Sequence, residues 1–292
     1  MDANGIRLNK YLSEAGICSR READRLIETG KVKIDGQVAV PGQKVLPGQS
    51  VTVKGRSVSA AKGETGHKAE PVFLAVHKPR GVVCTTSDKD RAPNIVDLVH
   101  YPVRIYPIGR LDKESEGLIL MTNQGDLVNK IMRSGNAHEK EYLVKVNRPV
   151  TDDFIRKMRK GVTLSELEVT TKPCFAEKAG EKTFRIVLTQ GLNRQIRRMC
   201  SQLGFEVRML KRMRIMNIEL GDLKPGAYRE LSRREYHQMK ESLKSSTSLS
   251  YQEQKKEKSD GRKIKLNQRI DIPVAGGRKG LLPGKPGDHE QL

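Results

Sequence analysis

The chain has 292 residues and a formal net charge of +20. That charge argues for a polyanionic partner, nucleic acid before membrane, and the length suffices for one sizeable core beside a small second domain. There is no run of about 18 apolar residues and no apolar signal core near Asp2 and Arg7, so neither membrane spanning nor classical secretion is expected. Cys18, Cys84, Cys174 and Cys200 lie far apart and form no C-x-x-C pair, so reduced thiols, a cytoplasmic location and no metal site are expected.

In chain order, Leu8 and Leu12 sit one turn apart in a short helix that Gly16 stops. Ser19, with Glu22 three positions on, has the form of a capping box opening a second helix. Ala23, Leu26 and Ile27 share its apolar face, and Arg20, Arg21 and Arg25 take the opposite one. Lys31–Ile34 alternates, Asp35-Gly36 makes a hairpin turn, and Ser50–Val53 reads as a strand. Residues 5–54 are thus a small domain with a basic rim. Between Arg7 and Lys54 nine basic residues face five acidic ones, so the arrangement of Lys10, Arg20, Arg21 and Arg25 must give any preference for phosphates, not bulk charge. The blander alternative is an ordinary solvated helix face.

Residues 55–70 are polar, rich in Gly, Ser, Lys and Ala, and read as a flexible tether. A second domain, residues 71–243, opens with an apolar strand, Val72–Val76. The turn His77-Lys78-Pro79-Arg80-Gly81 should present Lys78 and Arg80, and Val82–Thr86 should be a second strand. Short elements follow at Ile95–Val99, Val103–Ile108 and Ile119–Thr122, then a helix over Asp126–Ile131. Lys140–Val146 alternates from Glu141 onward, with Tyr142, Val144 and Val146 on one face. Thr151 starts a helix that runs to Gly161, Thr183–Leu188 is a strand, a helix begins at Gln190 and closes at Gly204, and Val207–Ile215 is again a strand. Strands outnumber helices, which predicts an α+β domain whose mixed, mainly antiparallel sheet is flanked by helices. From Arg194 to Arg214 seven basic residues accompany Glu206 alone, a density that calls for an anion. Arg234–Leu243 reads as a last short helix. Residues 244–292, with eleven basic and six acidic residues, read as a basic disordered tail.

Asp112 falls in a turned connection between two buried segments, where a reactive carboxylate would be held, or where an aspartate simply bonds its own backbone. Gly109-Arg110-Leu111-Asp112, followed by Ser115-Glu116-Gly117-Leu118, resembles the catalytic motif of the RNA pseudouridine synthases. The likeness is to the branch of small-subunit type A and large-subunit types B, E and F, with type F the nearest pattern. It runs from about Ile6 to about Leu231: the N-terminal stretch is similar to the S4 RNA-binding fold, and Lys78-Pro79-Arg80-Gly81 to the turn that begins the catalytic domain.

The resemblance implies that Asp112 is the essential aspartate, Tyr142 the active-site tyrosine and Arg197 the basic partner of the aspartate. It further implies that Leu210 lies under the target base and that Arg110 fills the gap left by a flipped nucleotide. Arg194, Arg198 and Arg212 would then hold the RNA backbone beside Lys78 and Arg80. The implied activity is site-specific isomerisation of uridine to pseudouridine in large-subunit (23S) ribosomal RNA, with transfer RNA as a second candidate. No cofactor, metal or membrane is implied, and a monomer is expected. The competing expectation is a non-catalytic RNA-binding or ribosome-assembly factor with the same fold. A DNA-binding regulator fits worse, because no recognition helix is apparent.

Overall fold

A computed structural model of the chain describes residues 5–58, 70–85 and 92–246. Most of the expected tether and nearly all of the expected tail lie outside the described residues.

The N-terminal module runs β1 (Ile6–Arg7), α1 (Leu8–Glu14), α2 (Arg20–Glu28), β2 (Val32–Ile34), β3 (Gln37–Val38), β4 (Lys44–Val45), β5 (Val51–Val53) and β6 (Arg56–Val58). The Ser19 hydroxyl caps α2 by accepting from the Glu22 amide at 3.1 Å, while the Glu22 carboxylate turns to Arg25 at 3.4 Å. Leu8, Leu12, Ala23, Leu26 and Ile27 pack on Val32, Val51 and Val53 of the sheet, which is ordered β3-β2-β5-β6. Two stretches depart from the sequence reading. Ile6 and Arg7 are extended and pair with Val45 and Lys44. Arg56–Val58, expected in the tether, pairs with β5, because Lys54 (φ 50) and Gly55 (φ 78) form a left-handed two-residue hairpin turn. Gly55 is a turn residue, and composition alone made it look like linker.

The second part contains β7 (Phe73–Lys78), α3 (Ile95–Val99), β8 (Tyr106–Ile108), β9 (Glu116–Thr122), α4 (Gly125–Met132), β10 (Lys140–Val146), α5 (Asp152–Lys160), β11 (Thr163–Leu164), β12 (Val169–Thr170), β13 (Phe175–Gly180), β14 (Thr183–Leu188), α6 (Gln195–Gln202), β15 (Val207–Ile215), β16 (Ile218–Glu219), β17 (Tyr228–Glu230) and α7 (Arg233–Ser242). Nine of these strands form one sheet ordered β13-β14-β10-β15-β9-β7-β17, with β8 on β9 and β16 on β15. Among its described pairings only β15 with β9 is parallel, Lys211 opposite Glu116 and Arg212 opposite Gly117. The fold is the expected α+β arrangement, and that short parallel join holds its two halves together.

Thr151 caps α5 by accepting from the Phe154 amide, and Phe154, Ile155 and Met158 pack with Ile196, Met199 and Cys200 of α6 over Val144, Phe184 and Ile186. In the other half, Phe73, Ala75, Leu118 and Leu120 face Ile131 of α4 and Met239 of α7. Alternate residues Leu74, Val76, Ile119 and Met121 face Ile95 and Val99 of α3. β7 and β9 are therefore apolar on both faces, as strands covered on both sides must be.

Two sequence expectations are corrected here. Val82–Thr85 forms no strand, Val83 making a single bridge to Asn94. The helix expected from Gln190 starts at Gln195, because Arg194 is held at φ 51 and the Gln195 side chain folds back to accept from the Leu192 amide at 3.0 Å.

Candidate active site

Asp112 lies in the loop between β8 and β9. Its carbonyl accepts from the Ser115 amide at 3.0 Å, and the next residue's carbonyl accepts from the Gly81 amide at 2.7 Å, so the loop is pinned to the turn after β7. The Asp112 side chain is 34% exposed, with Arg194 Nη1 at 3.6 Å and Arg197 Nε at 3.8 Å from its Oδ2. Both arginines come from the start of α6, which the Phe154 and Met199 core holds against the sheet. Arg197 is braced from two sides: its Nη2 donates to Ser115 Oγ at 3.2 Å and its Nη1 to the Val207 carbonyl at 3.4 Å. Its Nε has no hydrogen-bond partner among the described residues and points at the carboxylate. Burial and then Arg194 lower the Arg197 pKa, and Asp112 and Glu114 oppose them.

These groups line a cavity of about 330 Å³ together with Arg110, Tyr142, Met132 and Leu210. Tyr142 on β10 stands opposite Arg212 on β15, and Leu210, buried, stands opposite Val144 two residues along. Two buried cations reach the same cavity. Arg212, 1% exposed, donates from Nε to the Leu118 carbonyl at 2.6 Å and from Nη1 to the Arg110 carbonyl at 3.5 Å, which ties β15 to β9 and to the Asp112 loop. Lys140 donates to the His138 carbonyl at 2.9 Å, and burial first and Arg212 second push its pKa down to about 8.

Asp112, Tyr142, Arg197, Arg110, Leu210 and Arg194 are thus brought together, as the sequence reading required. Several basic residues are placed differently. Lys78 is fully buried, with Nζ donating to the Pro79 and Val82 carbonyls at 2.8 and 2.7 Å. It locks the turn from within and presents nothing to solvent, because β7 is covered on both faces. Arg80 on the same turn is exposed. Arg212 is an internal brace, not part of an exposed strip.

The anions expected to meet the basic strip come from elsewhere in the chain. Glu114 pairs with Arg194, Glu166 with Arg198, and Glu139 and Glu141 with Arg214. On the N-terminal module Arg20, Arg21 and Arg25 lie on the exposed side of α2. Lys10 does not join them: its Nζ is 2.8 Å from Asp126 of α4 and 3.5 Å from Glu14. Arg104 likewise donates across to the Cys18 carbonyl.

Sequence reasoning missed Lys140, Ser115 and Met132. For Lys140 a signal existed, since strand parity puts it on the same face as Tyr142 and Val144. Ser115 belongs to the quoted Asp112 motif, but its contact with Arg197, like the placement of Met132, comes from long-range packing, for which local pattern has no signature.

A mixed sheet that hangs a carboxylate between two arginines over a cavity, beside a small two-helix module with a basic face, has the layout of an enzyme acting on RNA. Residues 72–202 match the family described as RNA pseudouridylate synthase, and residues 6–51 match the S4 domain. The chain is 46% identical over 289 residues, 97% of each chain, to the dual-specificity RNA pseudouridine synthase RluF of Shigella flexneri. It is 35% identical to the ribosomal large subunit pseudouridine synthase B of Bacillus subtilis, covering 80% of this chain and 95% of that one. A crystal structure of a pseudouridylate synthase superposes with a TM-score of 0.59 at 26% identity, covering 80% of this chain and all of that one. The chain belongs to the RNA pseudouridine synthases, with an S4 domain ahead of the synthase domain, and is an isomerase of uridine in RNA. Among the described residues no helix is long and apolar enough to cross a membrane.

Proposed function

We propose that the protein isomerises a chosen uridine of large-subunit (23S) ribosomal RNA, accepts a transfer RNA uridine as well, and works as a cytoplasmic monomer with Asp112 as its catalytic group. The name of a relative matched over 97% of both chains, a dual-specificity synthase, supports the two substrates, and that of the large-subunit relative supports the ribosomal one. The observation that carries the catalytic assignment is the Asp112 carboxylate facing Arg194 and Arg197 at 3.6 and 3.8 Å over the cavity that holds Tyr142.

The reaction breaks the bond from C1′ to N1 of uracil, turns the base and joins C1′ to C5. The C5 proton is lost, N1 ends protonated, and nothing is oxidised. The sugar needs a carboxylate beside it, either to add to C1′ or to take a proton from C2′. Two guanidiniums in a half-dry cavity stabilise that negative charge far better than water-exposed ones would. Tyr142 can stack on the uracil with its hydroxyl near the moving proton, and Leu210 offers an apolar surface beneath. A paired base must be flipped out, at about a few kcal/mol, and the exposed Arg110 at the cavity edge is placed to fill the vacated stack. Arg20, Arg21 and Arg25 would grip phosphates away from the target, a sequence-blind hold that sets register.

The test is to map pseudouridine chemically in the ribosomal and transfer RNA of cells that lack the gene, complemented with wild-type protein or Asp112→Asn. Wild type should restore one ribosomal position and at least one transfer RNA position, while Asp112→Asn restores none and still binds RNA. Restoration by the variant would remove Asp112 from catalysis.

A further inference from the structure

Next to the catalytic cavity lies a second one of about 260 Å³, between the β11–β12 hairpin and α6. Arg194, Arg197 and Arg198 converge on it with Ser201, and Arg194 and Arg197 line both cavities. Among the described residues only one carboxylate lines it, that of Glu166 from the single turn linking β11 to β12, and it pairs with Arg198. The Glu166 side chain is 70% exposed whereas Arg198 is 24% exposed, so the anion approaches from solvent and the cation is held by the fold. Arg198 is fixed further by donating from Nε to the Asn193 carbonyl at 3.1 Å. Glu114, 54% exposed, sits on Arg194 at 3.2 Å in the same manner.

Ion pairs with one arm in solvent contribute little net stability, so such a carboxylate exchanges readily for another anion. A phosphodiester outbids it: its oxygens suit the planar fork of arginine, and the rest of the RNA is held elsewhere, which makes this contact intramolecular. The cavity also adjoins the place where Asp112 would meet a ribose, and phosphates flank that ribose on both sides.

We propose that this second cavity seats a backbone phosphate of the RNA strand beside the target nucleotide, with Glu166 filling the seat until RNA displaces it. The proposal rests on the reading of the chain as an enzyme that acts on a flipped nucleotide. Glu166 then serves specificity. An RNA that cannot place a phosphate in the seat leaves Arg198 neutralised, while a correctly docked strand exchanges one anion for another.

Binding is measured in the Asp112→Asn background, so turnover does not intervene, with two probes: an oligouridylate of twenty nucleotides and a transcript of large-subunit ribosomal RNA. Glu166→Gln should tighten oligouridylate binding about three- to tenfold at low salt. Its salt dependence should steepen by up to about 0.7 in the slope of log K against log salt, the share of one phosphate contact on a single strand. Discrimination between the two probes should fall. In an Arg198→Gln background, Glu166→Gln should then change neither affinity nor slope. Unchanged binding in the first variant, or a gain that survives loss of Arg198 and so reflects bulk charge alone, would overturn the seat. Absence of pseudouridine with wild-type protein would instead overturn the functional reading, and the binding comparison is independent of it.

Discussion

Lys10 Nζ lies 2.8 Å from Asp126 Oδ1, which ties the first helix of the S4 module to α4 of the synthase domain. The far end of α4 carries Met132, packed so closely on Gly109 that a Cβ there would come within 2.2 Å of its Cε. Gly109 begins the loop that holds Asp112, and Met132 lines the cavity beside it. A residue read from sequence as an RNA contact is therefore part of the joint between the RNA-binding module and the candidate active site.

Reversing that joint tests its worth. Burial lowers the Lys10 pKa, but Asp126 and Glu14 outweigh it and leave it raised, so the pair is intact throughout the neutral range. With Asp126 67% exposed, the ion pair contributes about 0.2–1 kcal/mol to stability. Lys10→Glu should thus cost little in thermal melting, yet lower kcat/KM on a structured RNA severalfold. The swapped pair Lys10→Glu with Asp126→Lys restores both net charge and attraction, and should recover most of the loss. If the swap recovers nothing, Lys10 acts on RNA directly.

Arg197 is the next point of attack. Arg197→Gln removes the guanidinium that Ser115 and Val207 hold in place and leaves Asp112 with the more exposed Arg194. Turnover should fall at least about 100-fold, with RNA affinity changed much less, the pattern of an interaction made mainly in the transition state. Arg197→Lys should recover only a small part, since an ammonium cannot reach Ser115, Val207 and Asp112 from one planar fork. Single-turnover rates and filter-binding constants for the three proteins separate these outcomes.

Gly117, in the motif that carries the family likeness, has a structural reason to be glycine. It sits at φ +109, and a Cβ would lie 2.3 Å from the Arg212 carbonyl and 2.5 Å from its amide, across the parallel join of β9 and β15. Gly117→Ala must force that join open as well as strain the backbone, a cost of at least about 3 kcal/mol. Loss of soluble protein, or a melting temperature lower by ten degrees or more, is the expected result. A variant that melts like wild type would mean the join is not needed.

What the sequence disclosed follows from the range of the physics involved. The cap at Ser19, the helix start at Thr151, the alternation in β10, the strand β14 and the hairpin at Asp35-Gly36 are local, and each was legible. The Asp112 motif was legible as well, and the structure gathers Tyr142, Arg197 and Leu210 around it. The fate of individual cations was not. Lys78 and Arg212 look like surface charges in the sequence, but each is drawn inside by backbone carbonyls that only the folded sheet supplies. The strip from Arg194 to Arg214 seemed to lack counterions because Glu114, Glu139, Glu141 and Glu166 are remote along the chain. Gly55 misled for the opposite reason, since a turn glycine and a linker glycine have the same composition.

Lys140 gives a prediction in pH. It is 2% exposed, and burial followed by the nearby Arg212 holds its pKa at about 8 against an ordinary 10.5. The unfolded chain therefore binds the proton more tightly than the folded one. Below pH 8 this disfavours folding by an amount on the order of 3 kcal/mol, and the penalty fades as pH rises from about 8 to about 10.5. Lys140→Met keeps the length of the side chain and removes the charge, at the loss of the hydrogen bond to His138, about 1 kcal/mol. The variant should be more stable than wild type near pH 7, and that advantage should shrink steadily between pH 8 and 10.5. Denaturant melts of the two proteins at pH 7.5, 9 and 10.5 read the difference above the range in which His138, whose pKa burial and then Lys140 lower, changes its charge. A difference that stays constant with pH would mean that Lys140 keeps an ordinary pKa in the fold, with its charge solvated through the cavity instead of buried beneath it.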